Sequence, residues 1–287
     1  QRTTQEPRLA SSRRAPVRQV LRLRARGGAI PAPRPSPVVI VPTSASAANS
    51  PRRVVWLLAA VSLVSYALRS NIAIAQEFMA PELGLSMAQM GVISAWGFQL
   101  AYALFQVPSG FLGDRYGARL VMWLAVMGWS IASLASGAVV GSAGVAFAAL
   151  FGARVLLGLS QAATYPVSAM AAAQFVPESQ RTGASALYLA AGSLGAALSP
   201  LLLAPLMVRT GWRTVFVASA VVGLAMAMLW LLLAPRRAER AGTHRYVPMG
   251  EQLRDAARLL RNRALLVLSV SYLLHSAAFF VFVFWFF

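Results

Sequence analysis

The chain reads as seven long apolar runs separated by short polar breaks. The runs fall near residues 54–76, 88–110, 118–138, 144–174, 183–207, 212–234 and 264–287. Each approaches or exceeds the roughly 20 residues a helix needs to cross the hydrocarbon core of a bilayer. The pattern therefore predicts an all-α polytopic membrane protein. Small residues are dense within the runs, among them Ala132, Gly137, Gly158, Gly192, Gly195 and Ala196. They let membrane helices approach closely.

The segments outside the runs set the domain organisation. Residues 1–50 are rich in Arg, Pro, Ala and Ser, with Glu6 the one acid and no apolar periodicity. Such a stretch is expected to be disordered. It reads as a cytoplasmic tail, as sequence upstream of the true start, or as an organelle transit peptide, and the first two readings are favoured. Six runs over 51–235 form one helical bundle. A linker over 236–263 follows, and then the seventh span over 264–287. Within the linker, 249–263 is expected to form a short amphipathic helix, with Leu253, Ala256, Ala257 and Leu260 on one face. It would lie on the membrane surface. The chain starts at Gln1, has no Met before Met79 and stops inside an apolar run, so a fragment is expected.

Polar residues inside the runs narrow the chemistry. Arg69 lies in the first span and Arg154 in the fourth. An arginine at a helix centre costs roughly 2.5–3.5 kcal/mol on insertion scales, which calls for a partner or a water-filled cavity. Arg154, Gly158, Gln161 and Tyr165 are spaced to share one helix face. Gln99, Tyr102 and Gln106 form a second polar stripe, and Ser62, Tyr66 and Arg69 a third. Together they predict a positive site near the midplane, with a small organic anion as counter-ion. Arginine suits a carboxylate because its planar fork binds both oxygens. Taken singly, each Gln or Tyr reads better as an ordinary interhelical hydrogen bond. His275 in the seventh span either titrates near neutral pH, as a proton-coupling group, or is a satisfied interhelical histidine.

The net charge of +18 suggests nucleic acid until its placement is read. All 26 basic residues are arginine, and apart from Arg69 and Arg154 they sit in 1–53, in 236–263 or near span ends. That is the distribution of cytoplasmic membrane flanks, so the partner is membrane lipid and nucleic-acid binding is not expected. Arg52 and Arg53 precede the first span, Arg115 and Arg119 follow the second, and Arg181 follows the fourth. These counts place the N-terminus in the cytoplasm, with Arg209 and Arg213 as exceptions. The hydrophobic fraction is 58% and the mean hydropathy +0.62. Without cysteine, thiolate metal sites and disulfides are excluded. No metal or cofactor is expected, and the spans show no nucleophile–base pair of an enzyme.

The densest polar cluster is Gly110-Phe111-Leu112-Gly113-Asp114-Arg115-Tyr116-Gly117-Ala118-Arg119, between the second and third spans. It reads either as a charged latch or as an ordinary interhelical turn anchored by its arginines. Its Arg115-Tyr116-Gly117-Ala118-Arg119 is echoed by Arg209-Thr210-Gly211-Trp212-Arg213 after the fifth span. The two copies fall on opposite sides of the membrane, as an inverted 3+3 repeat requires.

Residues 110–119 resemble the loop signature of the major facilitator superfamily, and Arg154-Val155-Leu156-Leu157-Gly158 resembles its fourth-helix signature. The chain is similar, more narrowly, to the anion:cation symporter branch. The matching stretches are Tyr66 to Asn71, Tyr102 to Gly110, Phe175 to Arg181 and Gly211 to Phe216. The resemblance implies the N-terminal six-helix bundle of a twelve-helix transporter, plus the first helix of the second bundle. It implies gating by Asp114, Arg115 and Arg119 with Gly110 and Gly117, and substrate binding at Arg69, Tyr102 and Arg154, joined by Tyr66, Gln99 and Gln161 of the polar stripes. Two departures stand out. Leu68 and Gln161 occupy positions where that branch usually carries acids thought to couple protons. The expectation is a secondary or facilitative transporter of a small organic anion, monomeric at full length, in a bacterial inner membrane, with a proton or another ion coupled elsewhere if at all. A non-transporting scaffold or receptor on the same fold is the alternative.

Overall fold

The computed structural model describes residues 51–235 and 261–286 and the isolated positions 250 and 254. The expected tail over 1–50 and most of the expected surface helix over 249–263 lie outside these residues. Six helices are long and apolar enough to cross a membrane: α1 (Pro51–Glu82), α2 (Met87–Tyr116), α3 (Ala118–Gly137), α4 (Ala143–Phe175), α5 (Glu178–Thr210) and α6 (Trp212–Leu233). A seventh, α7 (Arg263–Phe286), follows. Six of the seven expected spans are present among the described residues, several of them longer than expected.

Three of the helices are interrupted, each with a local cause or partner. In α4 the helix breaks between Gln161 and Thr164. Pro166 supplies no N–H and crowds the carbonyl four residues back. That carbonyl belongs to Ala162, and Ser109 of α2 donates its hydroxyl to it at 3.2 Å. In α1 the break falls at Ser70, directly after Arg69. The Ser70 hydroxyl turns back to the Tyr66 carbonyl at 3.0 Å, a local bond that competes with the helix ladder. Carbonyls next to this break are taken by neighbouring helices: Gln161 donates to Ser65 O at 2.9 Å, and Ser199 to Ala67 O at 3.0 Å. In α2, Ile93–Leu100 is wound as a π-helix, a rare form that is frequent at functional sites.

The R-x-G-x-R echo is a structural repeat. Gly117 adopts φ 84°, ψ 154° between α2 and α3, and Gly211 adopts φ 83°, ψ 156° between α5 and α6. This region is essentially open to glycine alone. Each copy then fastens α3 to α6. Arg119 donates to the Leu231 carbonyl near the end of α6, and Trp230 donates to the Arg119 carbonyl at 2.9 Å. At the other end Arg213 donates to the Val139 carbonyl, just past α3, at 3.1 Å. The helix partners obey the same relation: α1 packs on α5, α4 on α2, and α3 on α6. Exchanging α1–α3 with α4–α6 maps this set onto itself.

Close approach at two of these pairs depends on missing side chains. A methyl at Gly195 of α5 would stand 2.2 Å from the Leu63 carbonyl of α1, and one at Gly158 of α4 would stand 2.5 Å from the Phe98 carbonyl of α2. Two apolar clusters fill the interior. One is built on Leu58, Met122, Trp129, Leu157 and Trp230, the other on Met79, Ile93, Leu150 and Phe216. Apolar side chains of α2 (Leu100, Leu104, Val107) and of α5 (Leu201, Leu202, Val208) are exposed, as are nearly all the described side chains of α7.

Candidate functional site

The break after Arg69 ends the first half of α1 and leaves that arginine at the edge of the bundle, half-buried. Three aromatic rings surround its guanidinium. The carbon at its centre lies 4.3 Å from the Phe98 ring centroid, 5.1 Å from Tyr102 and 5.5 Å from Tyr66. One Nη donates to Gln99 Oε1 at 3.1 Å. Phe98 and Gln99 belong to the π-wound stretch, and Phe98 stacks on Tyr102 one turn on, at 5.5 Å. A cation over a ring face is attracted by the ring's quadrupole. The cage therefore holds the head in place without neutralising it. The carboxylates among the described residues are Glu77, Glu82, Asp114 and Glu178, and their one ion pair joins Glu82 to Arg213. Among the described residues, no carboxylate forms an ion pair with Arg69.

The ring contacts continue into the bundle and end at Tyr188, which is 5% exposed and donates its hydroxyl to Ser185. Tyr66 meets Tyr165 of α4 at 5.9 Å between centroids, and Tyr165 meets Tyr188 of α5 at 6.1 Å. Gly192 makes room for this corner, since a methyl there would lie 3.0 Å from the Tyr165 hydroxyl.

Of the expected site residues, the structure brings Tyr66, Arg69, Gln99 and Tyr102 together. Arg154 stands elsewhere. It is 2% exposed, against Gly97 of α2. One Nη reaches Ser136 of α3 at 3.4 Å, and the head lies 5.6 Å from the Phe216 ring of α6. Its Nε has no hydrogen-bond partner. Gln161 is also buried and serves the Ser65 carbonyl. Leu68 is 4% exposed in the larger apolar cluster. His275 is exposed on α7.

At the Gly117 end, Arg119 is engaged with α6, while Asp114 and Arg115 are exposed, with Arg115 beside the ring of Tyr116 at 5.1 Å. Gly110 is half-buried in α2 beside Pro166 of α4. An open cavity of about 310 Å³ lies here, lined by Tyr116, Arg119, Gln174, Phe175, Leu231 and Pro235. It is separate from the Arg69 cluster. Sequence reasoning passed over Phe98 and Tyr188 as site residues. Phe98 had a readable signal, four residues before Tyr102. Tyr188 had none, because its place depends on how α5 packs.

A family model described as the Major Facilitator Superfamily matches residues 56–287. Curated relatives carry sugar-acid names. The "Probable galactarate/D-glucarate transporter" of Bacillus subtilis is 35% identical over 180 residues, which cover 62% of this chain and 39% of that protein. The hexuronate transporter of Bacillus subtilis is 32% identical over 177 residues, 62% of this chain and 40% of that protein. The D-galactonate transporter of Escherichia coli is 29% identical over 168 residues, 58% and 38%. The matches thus span about two fifths of the length of these relatives. Among solved structures, a bacterial homologue of the human lysosomal transporter Spinster, inward-facing and unoccupied, superposes with a TM-score of 0.56 at 21% identity, over 70% of this chain and 47% of that one. The inward-open xylose transporter of Escherichia coli gives 0.55 at 17% identity, over 79% and 56%. At these identities the two structures establish the fold.

Proposed function

The chain belongs to the major facilitator superfamily, and from that membership we propose that it forms the N-terminal bundle of a transporter for a small organic anion of the sugar-acid class. The observation that carries this reading is Arg69: a half-buried guanidinium at a helix break, held by Phe98, Tyr102, Tyr66 and Gln99, with no carboxylate neutralising it among the described residues. A substrate carboxylate completes it. The names of the curated relatives support the same class.

The exposed faces of α2 and α5 and the open side of the Arg69 cluster would then meet a second six-helix bundle. Rocking of one bundle against the other about the bound anion gives alternating access. Asp114, Arg115 and Arg119, with the turn at Gly117, form the gate at one end. The arginine-rich flanks support a cytoplasmic side for that end and for the N-terminus, in a bacterial inner membrane. The full-length transporter works as a monomer. Neither Leu68 nor Gln161 can release a proton at physiological pH, so any proton coupling runs through His275 or groups beyond residue 287.

The test is uptake of labelled sugar acids by the full-length parent in proteoliposomes, with and without an inward proton gradient. Arg69→Gln should abolish uptake while membrane insertion stays intact. Unaltered uptake by that variant would sink the reading.

A further inference from the structure

Arg69 is the last residue of the first half of α1, and Gln161 is the last residue of the first half of α4. The two breaks are joined. Gln161, 2% exposed, donates its amide Nε2 to the Ser65 carbonyl at 2.9 Å. Ser199 of α5, 1% exposed, donates its hydroxyl to the Ala67 carbonyl at 3.0 Å. Ala67 holds one of the last four carbonyls of its half-helix, which lack intrahelical donors. The two anchored carbonyls flank Tyr66, whose ring centroid lies 5.5 Å from the Arg69 guanidinium. They tie the turn of α1 that carries Arg69 to both α4 and α5. The rest of the cage, Phe98, Gln99 and Tyr102, stands on α2. Where α1 stands therefore decides whether the guanidinium reaches it. A backbone carbonyl only accepts hydrogen bonds, so each anchor must offer a donor. The Gln161 amide does so in one form at every pH, whereas a carboxyl of the same length does so only while protonated.

We propose that Gln161 and Ser199 are positioning residues for substrate binding: they touch no substrate, and their bonds to Ser65 and Ala67 hold the Arg69 head in its cage on α2. This rests on the anion-transport reading above and extends it to residues behind the site. Losing either donor leaves a buried carbonyl without that partner and frees the turn that carries Arg69.

The experiment is equilibrium binding of galactonate, galacturonate and galactarate to the purified full-length parent, at about pH 5.5 and at about pH 8. The tightest of the three serves as the probe for the variants. Gln161→Met keeps the length of the side chain and removes its donor, and Ser199→Ala removes the other donor. Each should bind the probe about tenfold more weakly at both pH values, with an unchanged elution profile. Wild-type affinity in either variant overturns the role given to that residue. Gln161→Glu supplies a readout that packing alone would not move. Its carboxyl donates when protonated, so this variant should bind closer to wild type at about pH 5.5 than at about pH 8. Tyr66, Arg69, Tyr102, Arg154, Tyr165 and Tyr188, the titratable side chains on the surrounding helices, are common to every variant. Affinity relative to wild type at the same pH therefore isolates position 161. A loss as deep at the lower pH as at the higher one overturns the donor role. Binding of none of the three acids by the wild type overturns the anion reading, and this proposal with it.

Discussion

Arg119 and Arg213 are structural counterparts: each is the second residue of its helix, each follows a left-handed glycine, and each reaches the final carbonyls of the other's helix. Arg119 takes Leu231 O in the last turn of α6, and Arg213 takes Val139 O two residues past the end of α3. The last carbonyls of a helix lack intrahelical donors and carry the negative end of its dipole. A guanidinium placed there satisfies both. The antiparallel pair α3–α6 is thus pinned at its two ends by one motif used twice.

The glycines of that motif are required by the backbone. A methyl at Gly211 meets nothing within 4 Å, so Gly211→Ala isolates the conformational cost. It should destabilise the bundle by about 1–3 kcal/mol. Gly117→Ala should cost a similar amount, because φ and ψ are nearly identical there. Thermal unfolding in detergent checks both, and no change in either would refute the argument.

The Arg213 end has an added partner. Glu82 accepts from Trp212 Nε1 at 2.6 Å and from Arg213. Arg213 and Glu82 are 37% and 48% exposed, so solvent screens the pair. A double-mutant cycle with Glu82→Gln and Arg213→Gln should give a coupling of about 0.2–1 kcal/mol, weaker in high salt. A much larger, salt-insensitive coupling would contradict the exposed geometry.

Gly195 sets the spacing of α1 and α5. Gly195→Ala would drive its methyl into the Leu63 carbonyl and loosen the Ser199 bond to Ala67 next to Arg69. A loss of about 1–3 kcal/mol is expected, along with weaker substrate binding. Gly183→Ala, where a methyl meets open space, serves as the control on the same helix. Equal effects of the two would remove the packing explanation.

Orientation can be read directly, because the chain has no cysteine. Tyr116→Cys and Val140→Cys mark opposite ends at exposed positions. An impermeant thiol reagent added to intact cells should label Val140→Cys and spare Tyr116→Cys, with the reverse in inverted vesicles. The opposite pattern would invert the topology.

The positive-inside pattern held one anomaly, Arg209 and Arg213 on the wrong side. Of the two, Arg213 is paired with Glu82 and bonded to the Val139 carbonyl.

By itself the sequence determined the spans, the family resemblance and the repeat. These depend on local quantities: run length against bilayer thickness, and a glycine where the backbone turns back. It also singled out Arg69 and Arg154 as costly charges. Only the tertiary structure decided which of them stays open to a ligand. A helical stripe fixes a residue's face on its own helix, and that phase is lost wherever the helix is broken or overwound. Here α1 breaks at Ser70, α4 breaks before Thr164 and α2 is π-wound from Ile93 to Leu100. These three interruptions turn Arg69 toward Phe98 and Tyr102, commit Gln161 to the backbone of α1, and leave Arg154 enclosed among α2, α3 and α6. Which carbonyl or ring lies opposite a side chain depends on the neighbouring helix, and no periodicity within one span records it.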